Sequence, residues 1–418
     1  VVAKNGNVLE GVPCRLNWQS GQGISSSDIA CQPDYGSEQI LGRSDTKWLL
    51  TGGNKSGAFT LALEIPGVTN LSLTLPDNRL LSADINDELM VKIDPEPGDP
   101  IIFWRGQKRT INIVPRNHSS AMVGLSSYLV WGETSDLAQE HIISLPDWQE
   151  KQEIIENGAA WQLTGGESDS GLFYFHVVLD VFNTPLVLAN NRLLSTDLND
   201  EISLQIDGGP LPELVIFRRG SSPRLQLSTK NGSVLDGLAC ELDWQDGRGL
   251  TPADVSSQPG YGEVITLAEG KQTWDFQSSN SKSGMFSLVF NIAGFSHPLI
   301  LENIRLLSVN LSDELPNWLN SLGDEKYFNK LVCIGSGNTL FRLMGGAQLV
   351  DIPFTIISSK GDSSISPAVG TPFFFTSAST LVNMTPLANT QGSFEISGQG
   401  FDGKQTVIWS SYPGCSEG

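Results

Sequence analysis

Acidic and amide side chains are concentrated in two short strings that could bind a metal ion. The strings are Asp84-Ile85-Asn86-Asp87-Glu88 and Asp197-Leu198-Asn199-Asp200-Glu201. Calcium prefers hard oxygen ligands and takes about six to eight of them. One hypothesis is therefore a calcium site at each string, and its ligands would be Asp84, Asp87 and Glu88 in one case and Asp197, Asp200 and Glu201 in the other.

A structural role is the favoured alternative for these strings. A third copy, Asn310-Leu311-Ser312-Asp313-Glu314, has one carboxylate fewer, which weakens a shared metal-binding role. In the alternative, Asp and Asn turn the chain, and Glu pairs with a repeated arginine such as Arg79 or Arg192. No cofactor is predicted from these residues.

Other residues with catalytic potential do not form a catalytic pattern. Residues 398–403 match the glycine fingerprint of dinucleotide sites by letter, but the apolar run 406–409 after them predicts a strand instead of the required helix. They are therefore predicted to form a hairpin loop. The histidines occur in neither an HExxH nor an HxH pattern, and there is no GxSxG elbow. The histidines are His118, His141, His176 and His297. The sequence predicts a protein that is not an enzyme, with no catalytic residues.

Five cysteines are too few to form the framework of the fold. Disulfides Cys14–Cys31 and Cys333–Cys415 are two hypotheses, and buried free thiols are the alternative.

These strings belong to an internal repeat that organises the whole chain. Leu81, Leu194 and Leu307 are each 113 positions apart, and a spacing kept this closely indicates tandem copies of one domain. Each copy carries a tryptophan, Ser-Gly-x-Phe, Arg-Leu-Leu-Ser and Asp-Glu in the same order. The tryptophans are Trp48, Trp161 and Trp274, and the Ser-Gly pairs begin at Ser56, Ser170 and Ser283. Because the Leu-Leu-Ser and Asp-Glu strings stand where another copy follows, they are predicted to form the junctions between copies.

Short alternating runs separated by Gly, Pro, Asn and Asp predict antiparallel strands. A complete copy has about as many strand candidates as an immunoglobulin-like sandwich. We therefore predict an all-β chain of four tandem immunoglobulin-like β-sandwich domains of about 113 residues, with the first truncated at its N-terminus. The predicted domains are unit one (1–82, lacking its first strands), unit two (83–195), unit three (196–308) and the divergent terminal unit four (309–418).

The charge and hydropathy of the chain argue against nucleic acid as a binding partner and against a membrane span. The 46 acidic and 26 basic residues give a formal charge of −20, which disfavours binding to nucleic acid. No apolar run approaches the roughly 18 residues that a membrane span needs.

Unrepeated aromatic residues in unit four could form an exposed contact patch, although a rearranged core is the favoured alternative. They are Trp318, Phe373, Phe374, Phe375 and Tyr412.

The repeat, with its ordered Trp, Ser-Gly-x-Phe, Arg-Leu-Leu-Ser and Asp-Glu, resembles bacterial immunoglobulin-like repeats of large surface proteins, including invasin- and intimin-type adhesins. The resemblance covers units one to three well and unit four weakly. It implies an extracellular stalk that is anchored elsewhere in the full protein. In invasin-like proteins the terminal domain resembles a C-type lectin, whereas unit four is predicted to be another sandwich.

The sequence is consistent with two functions. The leading hypothesis is an extracellular, cell-surface or secreted adhesin or receptor-binding stalk, with unit four recognising a protein or glycan receptor on another cell or surface. The alternative is a targeting or receptor-binding array of a secreted toxin or injection apparatus.

Overall fold

The computed structural model describes residues 1, 9–42, 45–67, 72–96, 98, 100–116, 120–231, 234–315, 329–334, 339–376, 379–387 and 391–413. The chain forms two compact parts, which we call the N-terminal part (Val1–Thr196) and the C-terminal part (Asp197–Gly418).

Strands dominate the N-terminal part. Unit one contains β1 (Pro13–Gln22), β2 (Ile29–Gln32), β3 (Glu38–Ile40), β4 (Leu49–Gly52), β5 (Gly57–Glu64) and β6 (Ser72–Leu80). Unit two begins with the one-turn helix α1 (Ile85–Glu88) and continues with β7 (Leu89–Asp94), β8 (Ile102–Trp104), β9 (Lys108–Pro115), β10 (Ser126–Trp131), β11 (Ile142–Leu145), β12 (Gln152–Glu153), β13 (Ala159–Gly165), β14 (Gly171–Leu179) and β15 (Leu186–Leu194).

The C-terminal part has the same organisation. Unit three contains α2 (Leu198–Glu201), β16 (Ile202–Ile206), β17 (Gly209–Pro210), β18 (Ile216–Arg218), β19 (Arg224–Thr229), β20 (Ala239–Arg248), β21 (Val255–Gln258), β22 (Val264–Thr266), β23 (Lys271–Ser278), β24 (Gly284–Ile292) and β25 (Leu299–Leu307). Unit four contains α3 (Leu311–Glu314), β26 (Asn329–Ile334), β27 (Thr339–Met344), β28 (Pro353–Lys360), β29 (Ser363–Ser366), β30 (Pro372–Phe374), β31 (Ser379–Pro386), β32 (Gln391–Gly398) and β33 (Gln405–Pro413). One-turn 3-10 helices lie at Ser26–Asp28, Gln139–His141, Pro252–Asp254 and Ala347–Leu349.

Each unit forms two sheets. In the N-terminal part the strand orders are β3-β1-β5-β6 and β2-β4 for unit one, and β12-β10-β14-β15-β8 and β11-β13-β9-β7 for unit two. In the C-terminal part they are β18-β25-β24-β20-β22 and β17-β16-β19-β23-β21 for unit three, and β26-β33-β32-β28-β30 and β27-β31-β29 for unit four. The prediction of an all-β chain with tandem immunoglobulin-like sandwiches is confirmed. The unit boundaries at residues 82, 195 and 308 stay a prediction.

Alternation of buried and partly exposed side chains explains why these segments are strands. In β14 every second residue, from Gly171 to Leu179, is buried, and the residues between are partly exposed. One face of the strand therefore joins the core while the other approaches solvent. The buried face includes Phe173 and Phe175, which pack in one hydrophobic cluster with Trp161 from the opposite sheet.

The repeated tryptophans and the repeated Ser-Gly-x-Phe string form one packing unit. The ring centroids of Trp18 and Phe59 lie 5.3 Å apart and stacked, and Trp244 and Phe286 lie 4.9 Å apart in the same arrangement. The preceding glycine is required because a Cβ at Gly57 would lie 2.5 Å from the carbonyl oxygen of Gln22. The prediction that the repeated tryptophans belong to the core or its edge is confirmed.

The proposed Cys14–Cys31 disulfide is wrong, because both thiols are free. The physical reason is that the two side chains belong to different hydrophobic clusters of unit one. Cys14 packs with Leu41 and Leu63, whereas Cys31 packs elsewhere in the unit and donates a hydrogen bond to the carbonyl oxygen of Pro33. Burial raises the pKa of the Cys14 thiol. The Cys333–Cys415 hypothesis lies outside the described residues, because the side chain of Cys333 and all of Cys415 are not among them.

The aromatic run of unit four is mainly core. Phe373 and Phe375 are buried, so the favoured alternative is confirmed for these two residues. Phe374 between them is 48% exposed. Trp318 and the side chain of Tyr412 lie outside the described residues. In the part of the chain that the structure describes, no helix combines the length and the apolar character needed to cross a membrane.

Candidate functional site

The repeated acidic strings form one-turn helices at the start of their units. Asp84 is the N-cap of α1, and its carboxylate accepts hydrogen bonds of 2.9 Å from the backbone nitrogen and from the side-chain amide of Asn86. These two hydrogen bonds lower the pKa of Asp84. Asp197 caps α2 in the same way, accepting from the backbone nitrogen of Asn199 at 2.9 Å. The first aspartate of each string therefore turns the chain, as an N-cap residue does.

The glutamate of the first string is buried and connects two sandwiches. Glu88 is 2% exposed, although it belongs to a surface turn. Its Oε1 accepts a hydrogen bond of 2.7 Å from the backbone nitrogen of Ser82, at the end of unit one. The same oxygen accepts from the hydroxyl of Ser56, which begins the Ser-Gly-x-Phe string. The Ser82 hydroxyl donates to Asp87 at 2.7 Å.

The same arrangement recurs in the C-terminal part with two further donors. Glu314 is 3% exposed and accepts from the backbone nitrogen of Ser308 at 2.6 Å and from the hydroxyl of Ser283. Arg219 forms an ion pair with its Oε1 at 3.3 Å, and Gln348 donates to its Oε2 at 3.2 Å. We call each of these arrangements a glutamate clamp: Glu88 with Ser56 and Ser82, and Glu314 with Ser283, Ser308 and Arg219.

The clamp satisfies a carboxylate that would otherwise be costly to bury. A buried charge without partners strongly destabilises a fold, whereas one that accepts several hydrogen bonds is tolerated and fixes the geometry around it. Ile85 in α1 and Leu311 in α3 are buried beside the glutamates, so each short helix inserts one aliphatic side chain and one carboxylate. The contacts of Glu88 with Ser82 and of Glu314 with Ser308 support the prediction that these strings lie at junctions between units, which stays a prediction.

The predicted partner of the glutamate is wrong for Arg79. Its guanidinium donates instead to the carbonyl oxygens of Ala121 and Val123, at 2.6 Å for Val123. The equivalent Arg305 likewise donates to a carbonyl oxygen of the following unit, that of Val350, at 2.7 Å. The reason is the strand position, which directs this arginine towards the backbone of the next unit. It therefore forms a second junction contact beside the clamp.

The predicted pairing of Arg192 with a glutamate stays a prediction, although both Arg192 and Glu201 are buried. Sequence reasoning missed the two serines and Arg219 as partners of the glutamate. The available signal was that Ser56, Ser170 and Ser283 recur wherever the Asp-Glu string recurs.

The calcium hypothesis finds no support in this geometry. Glu88 and Glu314 are used as acceptors, and Asp84 caps its helix. Among the described residues no group of three or more His, Cys, Asp and Glu side chains is placed to hold a metal ion.

We accordingly expect the chain to unfold at the same temperature in millimolar calcium and in EDTA. The expected small-angle scattering profiles also coincide, because no group of acidic side chains among the described residues is placed to hold a cation. A calcium-dependent rise in the melting temperature that disappears in Asp84→Asn or Asp197→Asn would contradict this expectation and restore the metal site.

The glycine fingerprint at residues 398–403 forms a hairpin turn. β32 ends at Gly398 and pairs antiparallel with β33, which begins at Gln405. The hairpin prediction is therefore confirmed, and no helix follows the glycines to bind a pyrophosphate. Of the histidines, His118 lies outside the described residues, and His297 contacts the hydroxyl of its neighbour Ser296 at 2.9 Å.

His141 and Asp169 occupy the positions of an acid–lysine ion pair in units one and three, with the acidic residue on the opposite side. In unit one Asp28 binds Lys55 at 3.1 Å, and in unit three Asp254 binds Lys282 at 2.8 Å. The equivalent pair in unit two is His141 with Asp169, whose Nε2 and Oδ2 atoms are 3.3 Å apart. The Lys282 ammonium and the Thr251 hydroxyl lower the pKa of Asp254.

This reversal predicts a compensating double substitution. His141→Asp alone places two carboxylates together and should destabilise unit two by about 0.5–1 kcal/mol. Combining it with Asp169→Lys rebuilds the pair of units one and three, and we expect most of the loss to be recovered. A double-mutant cycle from urea unfolding measures the coupling, which should shrink in high salt. Additive effects of the two substitutions would contradict the expectation.

No protein-family model and no curated protein matches the chain. The D00-D0 domains of intimin align with 52% of this chain and 99% of their own length, at 12% identity and a TM-score of 0.27. The ICAM-5 D1-D4 ectodomain fragment covers 97% of this chain and 96% of its own, at 12% identity and a TM-score of 0.27.

Domains 4-9 of the surface layer protein SbsC cover 96% of this chain and 66% of their own length, at 9% identity and a TM-score of 0.19. At these identities and TM-scores the three likenesses identify neither a family nor a ligand or receptor for this chain.

Proposed function

We propose that this chain is a non-enzymatic, extracellular stalk of an adhesin or receptor-binding protein, and that unit four is its recognition tip. The partner would be a protein or glycan on another cell or surface. The observation that carries the proposal is the glutamate clamp, which is repeated at the unit junctions that each compact part contains.

A clamp of this kind restricts motion between successive domains. Only four residues, 81–84, separate the end of β6 from the start of α1, so the linker itself has little freedom. Buried hydrogen bonds from Ser56 and Ser82 to Glu88 add a fixed contact across the same junction. Domains joined by a small polar interface normally move relative to one another. Fixing them serves a protein that must present a domain in a defined direction.

The C-terminal part supports unit four as the presented domain. Arg218 of unit three lies over the ring of Phe401 at 5.3 Å and donates to the carbonyl oxygen of Gly400. Next to these contacts is a cavity of about 920 Å³ between units three and four, and the exposed Phe374 lines it. An exposed aromatic side chain beside a concave surface is a common feature of recognition sites.

Deleting residues 309–418 from the full protein tests the proposal. We expect the deletion to abolish binding of the displayed protein to cultured animal cells and to immobilised glycans. The matched control deletes unit two, residues 83–195, which shortens the chain by about the same length but keeps unit four. Binding that survives loss of unit four but not loss of unit two would refute the tip assignment.

A further inference from the structure

Strand β11 of unit two lies at the edge of its sheet. It is the first strand in the order β11-β13-β9-β7, and among the described residues it pairs only with β13. Its counterparts β2 in unit one and β21 in unit three are also edge strands. An edge presents backbone groups that can pair with another chain, and proteins normally protect it with charged or polar side chains. The side chains of β11 therefore decide whether this edge can bind a partner.

β11 carries exposed apolar side chains where its counterparts carry small or polar ones. Ile143 is 62% exposed and Leu145 is 67% exposed, and we call these two residues the apolar pair. The residues 113 positions away on either side, which are also exposed, are Ala30 and Gln32 in unit one and Ser256 and Gln258 in unit three. The apolar pair is thus specific to unit two and is not a property of the repeat.

The chain around β11 is more acidic than the equivalent chain of the neighbouring units. Residues 133–169 contain nine acidic residues and one basic residue, Lys151, and all nine acidic residues are exposed. The equivalent residues 20–56 contain four acidic and three basic residues, and residues 246–282 contain five acidic and three basic residues. Because the excess of negative charge is local to unit two, it favours a basic partner on this side of the unit.

Four of these carboxylates lie at the two ends of β11. Glu140 belongs to the 3-10 helix that leads into the strand, and Asp169 lies 3.3 Å from His141 at the same end. Asp147 follows the other end by two residues, and its backbone nitrogen donates to the carboxylate of Glu150 at 3.2 Å. The apolar pair is therefore flanked by negative charge on both sides along the strand.

The backbone of β11 offers a short stretch for main-chain pairing. The carbonyl oxygen of His141 accepts a hydrogen bond of 2.7 Å from the nitrogen of Gly166, which follows β13. Since backbone groups alternate along an antiparallel strand, those of Ile142 and Ser144 point towards the edge. The indole nitrogen of Trp148 already donates to the carbonyl oxygen of Ile142 at 3.0 Å. Main-chain pairing is therefore concentrated at Ser144, and side chains must supply most of the affinity.

We infer that β11 is a docking site for an extended, basic segment of a partner polypeptide. Two apolar side chains of the segment, spaced two residues apart, cover Ile143 and Leu145 as cross-strand neighbours. Lysine or arginine side chains on either side of them pair with the carboxylates at the two ends of the strand. The backbone of the segment bonds to Ser144 in the manner of β-strand addition. This site goes beyond the recognition tip proposed for unit four, because it belongs to unit two.

The probe is the synthetic peptide Lys-Lys-Thr-Val-Ser-Val-Thr-Lys-Lys, titrated into the full chain. When its valines lie antiparallel to Leu145 and Ile143, lysines lie opposite Asp147 and Glu140. We expect saturable binding that weakens at high salt, because exposed ion pairs contribute to it. Hydrogen exchange should slow in β11 and stay unchanged in β21, the equivalent strand of unit three.

A double substitution tests the apolar pair. Ile143→Ser with Leu145→Gln introduces the residues that unit three carries as Ser256 and Gln258, so the fold of the repeat accommodates them. Binding of the peptide should weaken at least about tenfold, because most of the apolar area that the peptide covers is lost. Urea unfolding of the variant checks that unit two remains folded.

A second double substitution tests the carboxylates. Glu140→Gln with Asp147→Asn should weaken binding by about three- to tenfold, as expected for the loss of exposed ion pairs. The matched control is Asp246→Asn with Glu269→Gln, which removes the same amount of charge from exposed positions of unit three. We expect this control to bind the peptide like the unchanged chain.

Three results would overturn the inference. One is unchanged binding by the chain that carries Ile143→Ser and Leu145→Gln. Another is equal binding of a peptide in which glutamate replaces every lysine. The third is a concentration-dependent dimer that protects β11 from exchange without any peptide, because the occupant would then be a second copy of the chain.

Discussion

Replacing Glu314 with alanine is expected to lower the free energy of unfolding of the C-terminal part by about 3–5 kcal/mol, because one member of a buried, charged hydrogen-bond network is removed. The substitution leaves the backbone nitrogen of Ser308, the Ser283 hydroxyl and the Arg219 guanidinium without their acceptor. The Ser308 amide and the Ser283 hydroxyl then lose their buried acceptor, and the Arg219 guanidinium keeps only its hydrogen bond to Ser283. Urea unfolding of the full chain, with hydrogen exchange to assign the transition, measures the loss.

Two variants provide controls for this result. Glu302→Ala removes an exposed glutamate from β25 in the same part of the chain, and its effect should stay within about 0.5 kcal/mol. Glu314→Gln keeps an acceptor for Ser308 but loses the ion pair with Arg219, so its effect should lie between the two. If Glu314→Ala unfolded like Glu302→Ala, the clamp would have no energetic role.

Replacing Trp161 with alanine should destabilise unit two by about 3–5 kcal/mol, because the indole is fully buried and leaves a large cavity. The equivalent change in unit one, Trp48→Ala, should cost markedly less, since that side chain is only half-buried. Hydrogen exchange at increasing urea separates the two units in one chain. Equal losses at the two positions would contradict the difference in packing between units one and two.

Trp161→Phe separates packing from hydrogen bonding. In the part of the chain that the structure describes, the indole nitrogen of Trp161 has no hydrogen-bond partner, so phenylalanine loses volume only. We expect a cost well below that of alanine, of about 1–2 kcal/mol.

Much of the fold could be predicted from the sequence, because alternating apolar and polar residues indicate strands and the internal repeat indicates equivalent core positions. The period of two in strands such as β14 is visible in the sequence and reappears as buried and partly exposed positions. The recurrence of Trp161 and Trp274 at one repeat position indicated a core residue, and both are buried. The repeat also led to the prediction that the acidic strings lie at junctions between units.

The partners inside the junction could not be predicted from local pattern. Ser56 and Glu88 are 32 positions apart, and Arg79 and Val123 are 44 apart, so their contacts depend on how two units are docked. Charge complementarity suggested Glu with Arg79, but the strand directs that arginine towards backbone carbonyl groups. A comparison of which polar residues recur together would have favoured Ser56 and Ser283 as the partners of Glu88 and Glu314.

The composition of the clamp has a consequence for how such a chain can change its length. One half of the clamp, the Ser-Gly strand and the Leu-Leu-Ser end, belongs to the preceding unit, and the other half, the Asp-Glu turn, belongs to the following one. If a whole number of units is deleted, the Leu-Leu-Ser end of one unit is joined to the Asp-Glu turn of a later unit. These two ends still contain both halves of the clamp. Removing residues 83–308, for example, brings Ser82 next to the turn that contains Glu314. We therefore expect recombination between copies to lengthen or shorten the array while both halves of the clamp are kept at the new joint.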